Sequence, residues 1–275
     1  MTHGRNWRIM EDGPGDAAWN MAVDEAVAES CRKRLSPPTF RFYHWKGPAL
    51  TVGYFQNTAR DLDGSACREK RIAVIRRMTG GRAVLHGDDL TYSVACGNNT
   101  AELPDTIQGA FFAISRGFID GLCRLGLEAE AVQAPLKKAG RSPICFASTS
   151  RYEVTCSGRK ILGSAQRRWR DGMLQQGSLL LRFNAESFYG LFRFPDDSRR
   201  QRAIEEARNT IIGLNDLLPS PLDLKTVSNQ VAAGFERAMG ISLKPAELTP
   251  IELERAYQLA ETKYSHESWN RTLNI

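Results

Sequence analysis

The sequence predicts an α+β fold: a single catalytic domain over 1–275, with a mostly antiparallel sheet flanked by helices. Three observations predict it. Residues 152–156, 159–169 and 173–181 are strand-like runs joined by short turns, which reads as an antiparallel meander. Helical spacing is plain at 105–126, where Ile107, Phe111, Ile114, Phe118 and Leu122 share one face. No internal repeat, low-complexity segment or linker divides the 275 residues, a length that one large domain can hold. Helices packed on a sheet around a shared core follow from these features.

Residues 7–10 read as a short edge strand, followed by a Gly13-Pro14-Gly15 turn. Asp16 has the chemistry of an N-cap for a helix to about 34, and Ser36-Pro37-Pro38 ends that helix. Its small residues Ala18, Ala22, Ala26 and Ala28 suit close packing on a sheet. Strands are predicted at 39–45 and 49–54, either side of Gly47-Pro48, and a polar helix at 59–70. Short strands at 72–76 and 83–86 flank a Thr-Gly-Gly turn, and another strand covers 90–96. After the 105–126 helix, 127–132 is a strand and 134–150 an aperiodic loop with two prolines and three basic residues. A loop of that length in a compact domain is commonly functional. Beyond the meander, helices are expected at 185–192, 199–208, 222–239 and 250–263, the last two packed on a core of about 34–245.

Composition narrows the class. Hydrophobic residues make up 42% and charged residues 25%, as in ordinary globular proteins. No apolar run approaches the ~20 residues of a membrane span, and residues 1–12 lack the apolar centre of a signal peptide. A cytoplasmic location is the expectation, with neither membrane nor nucleic acid as partner. The net charge of +6 is modest, but basic residues cluster at Arg76, Arg77 and Arg82, at 137–141, at Arg167, Arg168 and Arg170, and at Arg199, Arg200 and Arg202. The first three clusters flank the stretches with chemical content, which favours an acidic macromolecular substrate; solvated loops are the plain alternative. Six cysteines include no C-x-x-C pair and no neighbouring histidine at ligand spacing, so no metal site is expected. Most, Cys96 and Cys123 among them, sit beside apolar residues and read as small core residues.

Two stretches carry chemistry. In Arg76-Arg77-Met78-Thr79-Gly80-Gly81-Arg82, adjacent glycines let backbone N–H groups approach an anion or carbonyl; a plain hairpin turn would look the same. His86, just beyond, either lines a cleft or is a satisfied histidine. In the second stretch Cys145 lies in the loop near basic residues, a setting that favours its thiolate. Lys160 follows the Ser157-Gly158 turn, and could equally be an exposed hairpin charge. Gly163-Ser164-Ala165 leaves space inside a strand that bulkier residues would fill, enough for an acyl chain.

These motifs, in this order, resemble the lipoate–protein ligase/octanoyltransferase family, which shares a catalytic domain with biotin–protein ligases. The matching residues are Met21-Ala22-Val23-Asp24-Glu25, Thr51-Val52-Gly53-Tyr54-Phe55-Gln56, 76–86, Leu90-Thr91-Tyr92-Ser93, 158–166, Gln175-Gln176-Gly177-Ser178 and the tail Lys263-Tyr264 with Trp269-Asn270. They cover almost the whole chain. The resemblance implies the biotin/lipoate-protein-ligase, class II synthetase-like fold and no cofactor. Cys145-Phe146 and Lys160 match the cysteine-dependent octanoyltransferase branch, in which a thioester acyl-enzyme carries octanoyl from acyl carrier protein to a lipoyl-domain lysine, typically of the glycine-cleavage H protein. In that branch Lys160 would favour the thiolate and hold the acyl carbonyl, while Arg77, Thr79, Gly80, Gly81, His86, Gly163, Ser164 and Ala165 would bind substrate. An ATP-dependent ligase forming a lipoyl-adenylate, or an amidotransferase using the H protein as donor, are the alternatives within the family.

Overall fold

A computed structural model describes residues 5–98, 100–132 and 153–271. Eleven strands are described: β1 (Arg5–Gly15), β2 (Thr39–Trp45), β3 (Ala49–Val52), β4 (Ala73–Arg76), β5 (Val84–His86), β6 (Asp89–Gly97), β7 (Ala129–Ala131), β8 (Val154–Cys156), β9 (Arg159–Trp169), β10 (Gly172–Leu180) and β11 (Ile241–Pro245). The helices are α1 (Ala17–Arg32), α2 (Thr58–Asp61), α3 (Gly64–Glu69), α4 (Ile107–Arg124), α5 (Ala185–Tyr189), α6 (Asp197–Thr210), α7 (Leu224–Met239), α8 (Pro250–Leu259) and α9 (Glu267–Asn270).

Eight strands form one mixed sheet in the order β11-β1-β2-β6-β10-β9-β8-β7, and β4-β3-β5 form a small second sheet. From β2 onward every pairing in the large sheet is antiparallel, and the meander β8-β9-β10 is as expected. Its hairpin turns at Ser157 and Gly158, both with positive φ (50° and 71°), which matches the right-handed twist of the strands. At the other end the expectation fails. β1 is not an edge strand: it runs parallel to β2 on one side and to β11 on the other. The polar 59–70 segment is two short helices, each capped by its own side chain, Asn57 and Asp63.

Alternation along the strands sorts the two faces of the sheet. Phe40, Phe42, Tyr92 and Val94 point to α4 and α7, where Phe40 meets Phe235 at 4.3 Å and Tyr92 meets Phe118 at 4.5 Å. The face of α4 turned inward is Ala110, Ile114, Gly117, Phe118 and Leu122; Ile107, expected there, is exposed. The intervening residues Tyr43, Ala95 and Leu174 point to the other face and pack with Met21, Ala22 and Val23 of α1 and Leu259 of α8. Ala49 and Ile75 of the small sheet, and Met78 just past β4, join that cluster. Helix α8 stops at Leu259 and the chain widens into a π-turn over Ala260–Tyr264. That turn brings Lys263 Nζ and the Tyr264 hydroxyl to Glu25 at 2.7 and 2.6 Å. Of the described cysteines, Cys31, Cys67, Cys96 and Cys156 are buried as expected, but Cys123 is exposed. Among the described residues no helix is long and apolar enough to cross a membrane.

Candidate active site

The small sheet faces the β9-β10 hairpin across a cavity of about 230 Å³. Met21, Tyr43 and Trp45 supply apolar surface to it, and Thr51, Arg77, Gly81, His86, Lys160, Gly163, Ser164, Ala165, Gln176 and Ser178 supply polar groups or backbone. Seven residues singled out from sequence therefore meet in one place: Arg77, Gly81, His86, Lys160, Gly163, Ser164 and Ala165. Thr79 and Gly80 stand one layer behind. The Thr79 hydroxyl donates to Gln176 Oε1 at 2.9 Å, and the Gly80 carbonyl accepts from Arg77 Nη2 at 2.6 Å. Cys145, with the whole of 134–150, lies outside the described residues.

Lys160 is buried, 4% exposed, so the exposed-hairpin reading does not hold. Its ammonium donates to Glu153 Oε1 at 2.8 Å, and both side chains are 5% exposed. Two features place it there. The tight turn starts β9 one residue before Lys160, and a register shift in the β8-β9 ladder falls beside it. The Lys160 carbonyl also takes the Ile212 amide at 2.9 Å, pinning the strand from its other edge. A buried lysine needs a paired anion or polar oxygens, and Glu153, at the start of the meander, provides the anion.

Arg77 is the second cation in the cavity. Its guanidinium donates to the Thr51 hydroxyl at 3.2 Å and to the carbonyls of Gly80 and Arg82 at 2.6 and 2.8 Å. Its described partners include no carboxylate. Burial pushes its pKa down to about 10, still well above neutrality, so it stays charged. A positive field at the cavity wall suits a substrate oxygen that gains negative charge.

His86 is satisfied at both ring nitrogens: Nδ1 meets Asp89 Oδ2 at 2.8 Å, and Nε2 meets the Thr51 hydroxyl at 2.9 Å. The ring stacks on Trp45 at 4.2 Å. Both sequence readings were right in part, since it lines the cavity and is fully engaged there. Asp89 also accepts from Thr91 and Ser178, each at 2.7 Å. Burial alone would raise the Asp89 pKa, but the His86 ring and the hydroxyls outweigh it, and the carboxyl sits below its ordinary value.

Sequence reasoning did not single out Glu153, Asp24, Thr51, Trp45 or Gln176 as site residues. Asp24 is the most informative omission. Two turns into a helix otherwise buried against the sheet, its carboxylate accepts from Arg41, Tyr43, Ser93 and Gln176 at 2.7–2.8 Å. The signal was an acid inside an apolar helix face, beside Met21, which reaches the cavity.

Clustered arginines need a correction. Arg76 and Arg77 are 0% and 6% exposed, so they offer no surface charge to a docking partner. Arg82 is half-buried, and Arg167 is half-buried over the rings of Tyr54 and Trp169 at 4.8 and 5.0 Å. Arg199 and Arg200 face Asp196 and Asp197 at the start of their own helix.

The profile described as lipoyl protein ligase A/B catalytic domain matches residues 16–236. The chain is 39% identical to octanoyltransferase LipM of Kyrpidia tusciae over 271 residues, covering 97% of this chain and 98% of that protein. It is 37% identical to octanoyltransferase LipM of Bacillus subtilis over 271 residues, covering 96% and 97%. Among solved structures, a chain from the bi-partite lipoate protein ligase system of Thermoplasma acidophilum superposes with a TM-score of 0.81 at 23% identity, covering 98% of this chain and all of that one. Lipoate-protein ligase A bound with ATP superposes with a TM-score of 0.79 at 22% identity, covering 97% and 98%. At those identities the structures establish the shared fold.

Proposed function

The chain belongs to the lipoyl protein ligase A/B catalytic-domain family, and from that premise we propose that it is a protein N-octanoyltransferase of lipoate biosynthesis. It takes octanoyl from octanoyl-acyl carrier protein and delivers it to the lipoyl-domain lysine of an acceptor such as the glycine-cleavage H protein. The observation that carries this reading is the cavity itself, with the buried Lys160 ammonium on its wall. A 150 Å³ apolar cavity accepts benzene, or roughly 25 Å³ per carbon; on that scale 230 Å³ takes about nine carbons. An octanoyl chain is of that size. Burying its roughly six methylenes contributes ~5 kcal/mol, enough to select length coarsely.

In the proposed reaction the Cys145 thiolate attacks the carrier thioester. The carrier leaves as its thiol, taking a proton, and octanoyl remains on Cys145 as a new thioester. The neutral amine of the acceptor lysine then attacks, loses a proton and expels the Cys145 thiolate, leaving an amide. Lys160 stabilises the oxygen that carries negative charge in both steps, with Arg77 adding to the field. An ammonium has three N–H donors, so bonding to Glu153 is compatible with bonding to an acyl oxygen. With both nitrogens engaged, His86 holds the wall rather than moving protons.

Intact mass after mixing with octanoyl-acyl carrier protein tests the covalent route. The unaltered protein is expected to gain one octanoyl group and Cys145→Ala none; equal masses would sink the proposal. A lipoyl-adenylate formed from lipoate, ATP and magnesium without any adduct would place the chain in the ligase branch instead. Labelling by octanoyl-H protein, and not by the carrier protein, would reassign the donor.

A further inference from the structure

Arg76 has no part in the chemistry above, yet its side chain is among the most enclosed in the molecule, 0% exposed. Its guanidinium is ringed by main-chain carbonyls from two segments. Nη1 donates to the carbonyls of Gly53, Tyr54 and Gln56 at 2.8, 2.8 and 2.9 Å. Nε and Nη2 donate to those of Trp269 and Arg271 at 2.9 and 2.7 Å, and Nη2 approaches that of Asn270 at 3.5 Å. The backbone of Arg76 is bound to the same distant turn: its N–H donates to Asn270 Oδ1 at 3.0 Å, and its carbonyl accepts from Trp269 Nε1 at 2.9 Å. Five rigidly oriented N–H groups can serve two segments at once; the compact ammonium of a lysine cannot.

The 53–56 turn is in turn seated on the cavity wall. The Tyr54 amide donates to the Thr79 carbonyl at 2.9 Å, and the Arg77 amide to the Val52 carbonyl at 3.0 Å. A Cβ at Gly53 would lie 2.0 Å from the carbonyl oxygen of Gly81, and Gly81 lines the cavity. The contacts thus run without a break from residues 269–271 through Arg76 to the 53–56 turn, and from there to the glycine turn beside Arg77.

We propose that Arg76 is a positioning residue that straps the 269–271 turn to the 53–56 turn, making the α9 region part of the acyl-binding wall although it touches no substrate. The role in acyl transfer rests on the reading of the site given above; the strap itself does not. Two variants of the full-length protein test it by hydrogen exchange. Trp269→Ala removes one anchor of the distant turn, and Arg76→Lys removes the fork. In each, the amides of Tyr54 and Arg77 are expected to exchange about tenfold faster or more, while those of Leu174 and Leu179 in β10 keep their rates. Unchanged Tyr54 and Arg77 amides would overturn the strap, and so would equal acceleration at all four sites. Arg76→Lys tests the strap directly if it folds, and Trp269→Ala, at a half-buried position, does so if it does not. In the transfer assay Trp269→Ala is expected to raise KM for octanoyl-acyl carrier protein with kcat kept within about twofold; a fall in kcat alone would remove the positioning role. If the exchange pattern appears while the unaltered protein transfers no octanoyl, the strap stands and the functional reading falls.

Discussion

Along one side of the cavity, β9 and β10 pair continuously from Leu162↔Leu179 to Trp169↔Gly172, and β10 is paired again by β6 over its whole length. Across the cavity, β3 and β5 share three residue pairs and β3 and β4 share four. The loop wall beyond them is held by two buried guanidiniums bonded to carbonyls. The first wall is set by a ladder whose register depends little on any one side chain. The second depends on Arg76, Arg77 and two glycines in contact. Main-chain pairing supplies a platform for Lys160, while side-chain hydrogen bonds shape the part of the site that must conform to a substrate.

The largest expected effect lies on the ladder wall and is chemical. Lys160→Met should lower octanoyl transfer by at least ~100-fold. It should also cost up to about 3 kcal/mol of stability, because Glu153 loses its buried counter-charge. Adding Glu153→Gln should return part of that stability and none of the activity; urea unfolding beside a transfer assay separates the two. If the double variant transfers at the unaltered rate, the lysine has no chemical role and the comparison loses one side.

Next comes the same substitution on both walls. Gly53→Ala forces a methyl group to 2.0 Å from a backbone oxygen and should cost about 3 kcal/mol in urea unfolding. Gly158→Ala, in the β8-β9 turn, meets nothing within 4 Å and suffers only its positive φ of 71°, about 1 kcal/mol. Equal costs would mean that the second wall yields more readily than its packing implies.

The smallest effect is a pH dependence where the walls meet. Asp89 has a carboxyl pKa depressed in the folded state. Its contribution is therefore complete above the ordinary carboxylate range and is lost as pH falls through the folded value. Asp89→Asn should be less stable near neutrality but lose less on acidification. Urea midpoints from about pH 7 down to about pH 3 should converge for the two proteins; parallel curves would place the acid sensitivity elsewhere.

Legibility in the sequence followed how local each cause was. β2 and β9 have their expected bounds, and α1 and α4 fall within two residues of theirs. β11 went unseen because Ile241-Ser-Leu-Lys-Pro is short and half polar, and its pairing with Arg5–Ile9 spans most of the chain. Without it β1 could only look like an edge. At the site, residue types were readable where motifs carried them, as with Arg77, Gly81 and Lys160. Burial was not. Nothing local distinguishes Arg159-Lys160 from an exposed charged turn; the difference is Glu153, seven residues upstream and folded against it. The arginines at 76 and 77 misled in the same way, because clustered charge suggests surface until the carbonyls around it are known.

The Asp24 carboxylate has a consequence for how the chain assembles. Its four donors come from β2, β6 and β10, and it stands on α1. An intermediate that docked α1 on a sheet still missing β10 would leave the carboxylate without its Gln176 bond, and a hydrogen bond to a charged group contributes about 1.5–3 kcal/mol. One acidic side chain therefore penalises half-built structures and makes the helix and three strands join as a single cooperative unit.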